Sequence, residues 1–69
     1  MEKLKINGSE KLFSERVPSS LKDLLRQMDL DSAAIVAEVD GRIIKKEKFE
    51  TTPLHSGQSI ELIRFVGGG

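Results

Sequence analysis

The sequence predicts an α+β fold, one mixed sheet of about four to five strands packed on one main α-helix. Three observations point there. Two tight-turn dipeptides, Asn7-Gly8 and Asp40-Gly41, each sit between runs that read as strands. A single stretch, Leu21 to Met28, carries an apolar stripe at helical spacing. The last apolar run, Ser59 to Val66, passes directly into Gly67-Gly68-Gly69.

Lys3-Leu4-Lys5-Ile6 alternates polar and apolar residues, as a strand with one buried face requires. Asn7-Gly8 suits the two positive-φ positions of a type I′ turn, so Lys11-Leu12-Phe13 is expected to return antiparallel. Ser14 to Val17 leads out of the hairpin. Ser20 and Asp23 fit the S-x-x-D capping box, in which each side chain satisfies a free N–H. Leu21, Leu24, Leu25 and Met28 then fall at i, i+3, i+4 and i+7. In so small a domain this stripe belongs to the core rather than to a partner groove. Lys22, Arg26 and Gln27 take the wet side. The polar stretch Asp29 to Ser32 ends the helix, with Leu30 tucked beneath it.

Ala34-Ile35-Val36-Ala37-Glu38-Val39 is rich in strand formers, and Asp40-Gly41 turns it into a short return strand, Arg42 to Lys45. Lys45-Lys46-Glu47-Lys48 reads as a solvated loop, because Glu47 and Glu50 interrupt the positive charge. Phe49 and Leu54 are expected to anchor the long connection, where Thr52-Pro53 breaks any regular element. Ser56-Gly57-Gln58 turns the chain into the final strand, Ser59 to Val66. There Ile60 and Leu62 face the core, whereas Ile63 and Phe65 share the face of Glu61. One helix covers one face of a sheet and leaves the other to solvent. Ile63 and Phe65, with Arg64 and Val66 beside them, therefore form the candidate partner-binding surface. The domain reading is a globular unit over residues 1–66 and a flexible glycine tail over 67–69.

Composition narrows the function. At 69 residues the chain is one domain near the lower limit for folding without staples. Its 11 basic and 11 acidic residues cancel, so the strong positive field of a nucleic-acid or anionic-membrane binder is missing. No apolar run approaches the roughly 18 residues of a membrane span. Met1-Glu2-Lys3 leads straight into the first strand without a secretory pattern, so the expected location is the cytoplasm. There is no cysteine, hence no disulfide, thiolate metal site or thiol nucleophile. His55 is the one histidine and lacks partners at metal-ligand or acid–base spacing. No phosphate-binding glycine loop appears either. The expectation is no catalytic residue, no metal and no bound cofactor.

The glycine tail is what remains. Three glycines add nothing to a core, and they let another surface approach the backbone closely. Such a thread can enter a narrow active site that any Cβ would block. It presents the α-carboxylate of Gly69 as the candidate functional group, with Gly67 and Gly68 entering the partner's site. Glycine-rich ends are also ordinary linkers, so the body of the chain has to carry the argument.

In order along the chain, Asn7-Gly8, Ser20-Leu21-Lys22-Asp23-Leu24-Leu25, Ala34-Ile35-Val36-Ala37-Glu38-Val39-Asp40-Gly41 and Ile60-Glu61-Leu62-Ile63-Arg64-Phe65-Val66-Gly67-Gly68-Gly69 resemble the ubiquitin-like β-grasp proteins. The nearer resemblance is to the ThiS-like sulfur carriers of thiamine biosynthesis, and it covers nearly the whole chain. Departures fall in turns and one loop: Asp40-Gly41 in place of Asn-Gly, Ser56-Gly57-Gln58 in place of a more acidic turn, and Phe49 to His55, which matches nothing well. The resemblance implies a carrier protein that is not itself an enzyme. An adenylating, E1-like activating enzyme uses MgATP on the Gly69 carboxylate. A persulfide donor then displaces AMP to leave a thiocarboxylate, and thiazole synthase takes the sulfur. Other recipients within the same class are molybdopterin, amino-acid or siderophore pathways and tRNA thiolation. A β-grasp interaction module with an inert tail is the alternative outside that class.

Overall fold

The structure, a computed structural model, describes residues 1–65. Strands β1 (Glu2–Ile6) and β2 (Ser9–Phe13) form a hairpin, helix α1 (Leu21–Gln27) follows, and β3 (Ile35–Val39), β4 (Arg42–Ile44) and β5 (Ser59–Arg64) complete one sheet. The strand order is β2-β1-β5-β3-β4. β1 and β5 run parallel at the centre, and the other neighbours are antiparallel. This is the mixed five-stranded sheet with one helix that the sequence predicts.

Both turns take the predicted form. Asn7 and Gly8 have φ of 50° and 84°, and Asp40 and Gly41 have 51° and 85°. Positive φ at both central positions matches the right-handed strand twist, which is why asparagine or aspartate followed by glycine is favoured there. The two turns also grip β5 through side chains. Asn7 Oδ1 accepts from the Leu62 N–H at 2.7 Å, and its Nδ2 donates to the Leu62 carbonyl at 3.2 Å. Asp40 Oδ1 accepts from the Ser59 N–H at 2.9 Å, while the Asp40 N–H donates to the Ser59 carbonyl at 2.8 Å. The central strand is thus held near both ends by residues that the hairpins already need.

Helix α1 has seven residues, too few to persist alone in water, so its stability is tertiary. Leu21, Leu24 and Leu25 are buried against Leu4, Ile35, Ala37 and Ile60 of the sheet, and Met28 and Leu30 pack at the margin. Each fully buried leucine contributes about 1.5–3 kcal/mol. The long connection closes the helix start. The carbonyls of Thr52 and Phe49 accept the Leu21 and Lys22 N–H groups, each at 3.0 Å. Ser20 Oγ accepts the Asp23 N–H at 3.2 Å. Three N–H groups that a helix leaves unpaired at its start therefore have partners. Phe49 and Leu54 of the same connection are buried in the core, as expected.

Several boundaries differ from the sequence reading. The capping box is half formed, because the Asp23 carboxylate accepts from Ser19 Oγ at 2.7 Å instead of reaching back to Ser20. That bond is the chief reason the Asp23 carboxyl lies below its ordinary value; desolvation opposes it, and Ser20, Arg26 and Lys22 act with it by lesser amounts. β3 starts at Ile35 rather than Ala34, because Asp31 Oδ1 accepts the Ala33 N–H and caps a 3-10 turn, Ser32–Ala34. β4 stops at Ile44, and the charge run supplies a 3-10 turn, Lys46–Lys48, rather than an irregular loop. β5 ends at Arg64, short of the expected Val66, because Ala34 already belongs to the turn and β3 has no further strand residue to pair with.

Candidate functional site

The candidate surface lies around the end of β5. Ile63 is opposite Val36 of β3, on the sheet face away from the helix, and is 51% exposed. Phe65 follows the strand and is 44% exposed, and its N–H donates to the Ala34 carbonyl at 3.2 Å. The strand register thus continues for one hydrogen bond past β5. Ile43, 70% exposed on β4, belongs to the same outer face through its pairing with Glu38. Arg64 parts from this group. It is opposite the buried Ile35, and its side chain lines a hollow with Asn7, Met28, Leu30 and Leu62 on the helix side. The alternation of a strand makes this separation unavoidable, since successive side chains point to opposite faces. Val66, Gly67, Gly68 and Gly69 lie outside the described residues, and so does the proposed 66/67 boundary.

The outer face carries charge as well as apolar area. Glu38 and Glu61 are directly opposite each other on β3 and β5. Like charges in that arrangement oppose pairing. Among the described residues neither carboxylate has a salt-bridge partner; the ion pairs there are Lys3–Glu10, Lys22–Glu50 and Arg26–Asp23. At the tail end the sign reverses. Lys46 Nζ donates to the Ala33 carbonyl at 2.6 Å and stands 5.1 Å from the centroid of the Phe65 ring. Sequence reasoning missed this residue. It is one lysine of three in an exposed run, and its partners lie 13 and 19 positions away. The glutamate pair could have been read from alternation once β3 and β5 were taken as neighbours.

No group of three or more histidine, cysteine, aspartate or glutamate residues that could hold a metal stands together among the described residues. His55 is exposed, and its N–H donates to Gln58 Oε1 at 2.7 Å in the turn before β5. The six residues of β5 separate it from Phe65 by roughly 20 Å at the rise of a strand. Among the described residues no helix is long and apolar enough to cross a membrane. The end of β5 thus stands beside an outer face that is both apolar and charged.

Comparison with known proteins gives a consistent result. A family model described as the ThiS family matches residues 2–69. The sulfur carrier protein ThiS of Bacillus subtilis is 30% identical over 66 residues, which are 96% of this chain and 98% of that protein. A thiazole synthase of Paramagnetospirillum magneticum is 31% identical over 67 residues, 97% of this chain, and the match spans only 20% of that protein's length. A crystal structure of a thiamine biosynthesis protein (ThiS) from Geobacter metallireducens shares the fold, with a TM-score of 0.83 at 24% identity over 97% of this chain and 99% of that one.

Proposed function

The chain belongs to the ThiS family of sulfur carriers, which are not themselves catalysts, and we propose that it carries sulfur as a thiocarboxylate on Gly69 for thiazole formation in thiamine biosynthesis. The observation that carries this reading is the family match running through residue 69, which takes in all three glycines. The thiazole destination draws support from the thiazole synthase that contains a segment similar to nearly this whole chain.

A carboxylate is a poor electrophile, because its negative charge opposes attack. Forming an acyl-adenylate supplies a good leaving group, and the Mg²⁺ and cationic side chains of an activating enzyme absorb the phosphate charge. MgATP enters with that enzyme, in the cytoplasm. A persulfide sulfur then attacks the acyl carbon and AMP leaves. Reductive cleavage of the resulting acyl disulfide by a thiol of the partner releases the thiocarboxylate. The thiocarboxylate is anionic near neutral pH, and its soft sulfur suits attack on an activated carbon of the thiazole precursor. A cysteine-free protein can carry sulfur this way because the sulfur resides on the chain end.

Binding energy for these steps comes from the body. Ordering four backbone residues after Phe65 costs about 4–8 kcal/mol, and glycines return little contact. Ile63 and Phe65 on the outer face are the surface we assign to partner docking, with Arg64 on the helix side of the same strand and Val66 next in sequence. Gly67 and Gly68 thread the partner's active site.

Intact-protein mass spectrometry tests the reading. The untagged chain is incubated with a thiamine-type activating enzyme, MgATP and a persulfide donor, beside a variant lacking Gly69. The expected result is an adenylate with ATP alone, followed by exchange of one oxygen for sulfur, with neither in the truncated control. Transfer of that sulfur to a thiazole synthase identifies the pathway. An unchanged mass with activating enzymes of the thiamine, molybdopterin and tRNA pathways would leave an interaction module with an inert tail.

A further inference from the structure

Three chain segments meet at the ammonium of Lys46. It comes from the turn Lys46–Lys48 beyond β4, donates to the Ala33 carbonyl just before β3, and lies over the ring of Phe65 just after β5. The next carbonyl, that of Ala34, accepts the Phe65 N–H. Two consecutive residues of the turn just before β3 therefore hold Phe65, Ala34 through the Phe65 backbone and Ala33 through a lysine. Lys46 is exposed and has no carboxylate partner among the described residues. An exposed lysine otherwise keeps its rotamer freedom. Here a carbonyl and an aromatic face both oppose that freedom.

We propose that Lys46 is a positioning residue for chemistry at the chain end: its ammonium clamps the Phe65 ring and so sets where and in which direction the tail leaves the sheet. The chemical consequence rests on the carrier reading above. Four residues follow Phe65, a reach of up to about 14 Å. A small angular freedom at Phe65 becomes a displacement of several ångströms at Gly69, whereas a misplacement of about 1 Å at a reacting atom can cost a hundredfold in rate. Holding Phe65 narrows the volume that the carboxylate searches once the body has docked.

Two variants and two readouts test the inference. Lys46→Met removes the charge and the donor but keeps the stem, and Lys46→Arg keeps both. The first readout is hydrogen exchange of the Phe65 N–H in the free protein. The expectation is exchange about tenfold faster in Lys46→Met, with the Leu62 N–H unchanged and Lys46→Arg near the parent chain. The second is adenylation by the activating enzyme, where Lys46→Met is expected to lower kcat about tenfold at constant KM and Lys46→Arg to restore it. Unchanged Phe65 exchange overturns the clamp. Faster exchange with unchanged kcat overturns the positioning role, as does a rise in KM alone, which would make Lys46 a docking contact. If the parent chain is never adenylated, the carrier reading falls, and exchange at Phe65 still decides the clamp.

Discussion

Asn7 and Asp40 occupy the same position in two turns of the same type, yet the chemistry asked of them differs. Asn7 both donates to the Leu62 carbonyl and accepts from the Leu62 N–H, which a carboxamide can do and a carboxylate cannot. The Asp40 side chain only accepts, from the Ser59 N–H. A carboxylate suffices there, which explains the aspartate at a place where the family resemblance suggests asparagine. The expected outcome is asymmetric. Asn7→Asp sets an acceptor against the Leu62 carbonyl and should lower stability in urea unfolding by about 1–3 kcal/mol. Asp40→Asn should stay within about 0.5 kcal/mol of the parent chain. The turn role of both residues was legible from the dipeptides. Their hold on β5 was not, because Leu62 lies 55 positions from Asn7 and Ser59 lies 19 from Asp40. No local pattern reports such pairings.

At the level of elements, α1 shows how far a helix can depend on distant chain. Its apolar stripe and its Ser20 cap were readable, since both rest on spacing within one turn or two. The role of the Phe49 to His55 loop was not. Its carbonyls satisfy the first N–H groups of a helix nearly thirty residues earlier, and Leu54 donates its N–H to the Ser19 carbonyl at 3.3 Å. Ser20→Ala removes the acceptor for the Asp23 N–H, and thermal unfolding is expected to show a loss of about 1 kcal/mol. Asp23→Ala should cost less, because its carboxylate bonds to an exposed serine hydroxyl and takes no helix N–H. Equal losses would mean that the reciprocal capping box forms in solution. The early end of β5 belongs to this scale too. Its own sequence favours continuation through Val66, but strand length is set jointly with β3, and Asp31 commits residues 32–34 to a turn.

For the whole molecule, one helix and five strands leave an outer sheet face that nothing within the described residues covers. Period-two alternation identified Ile63 and Phe65 on that face, because the core assignment of Ile60 and Leu62 leaves them no other side. Alternation equally places Arg64 on the opposite face, so its adjacency to Ile63 in sequence does not carry over to the surface. Phe65→Ala is expected to weaken binding to the activating enzyme by about 1–3 kcal/mol in calorimetry, with the unfolding midpoint nearly unchanged because the ring lies outside the core cluster. Unaltered affinity would remove this face from the docking account.

The central position of β5 also bears on mechanical load. Whatever draws on the chain beyond Phe65 pulls along a strand that is bonded to β1 on one side and to β3 on the other, with Asn7 and Asp40 as side-chain rivets. A tug along that axis loads many hydrogen bonds together in shear instead of peeling them one at a time, as it would on an edge strand. The hydrogen bonds that β5 makes to its two neighbours therefore share a pull applied beyond Phe65.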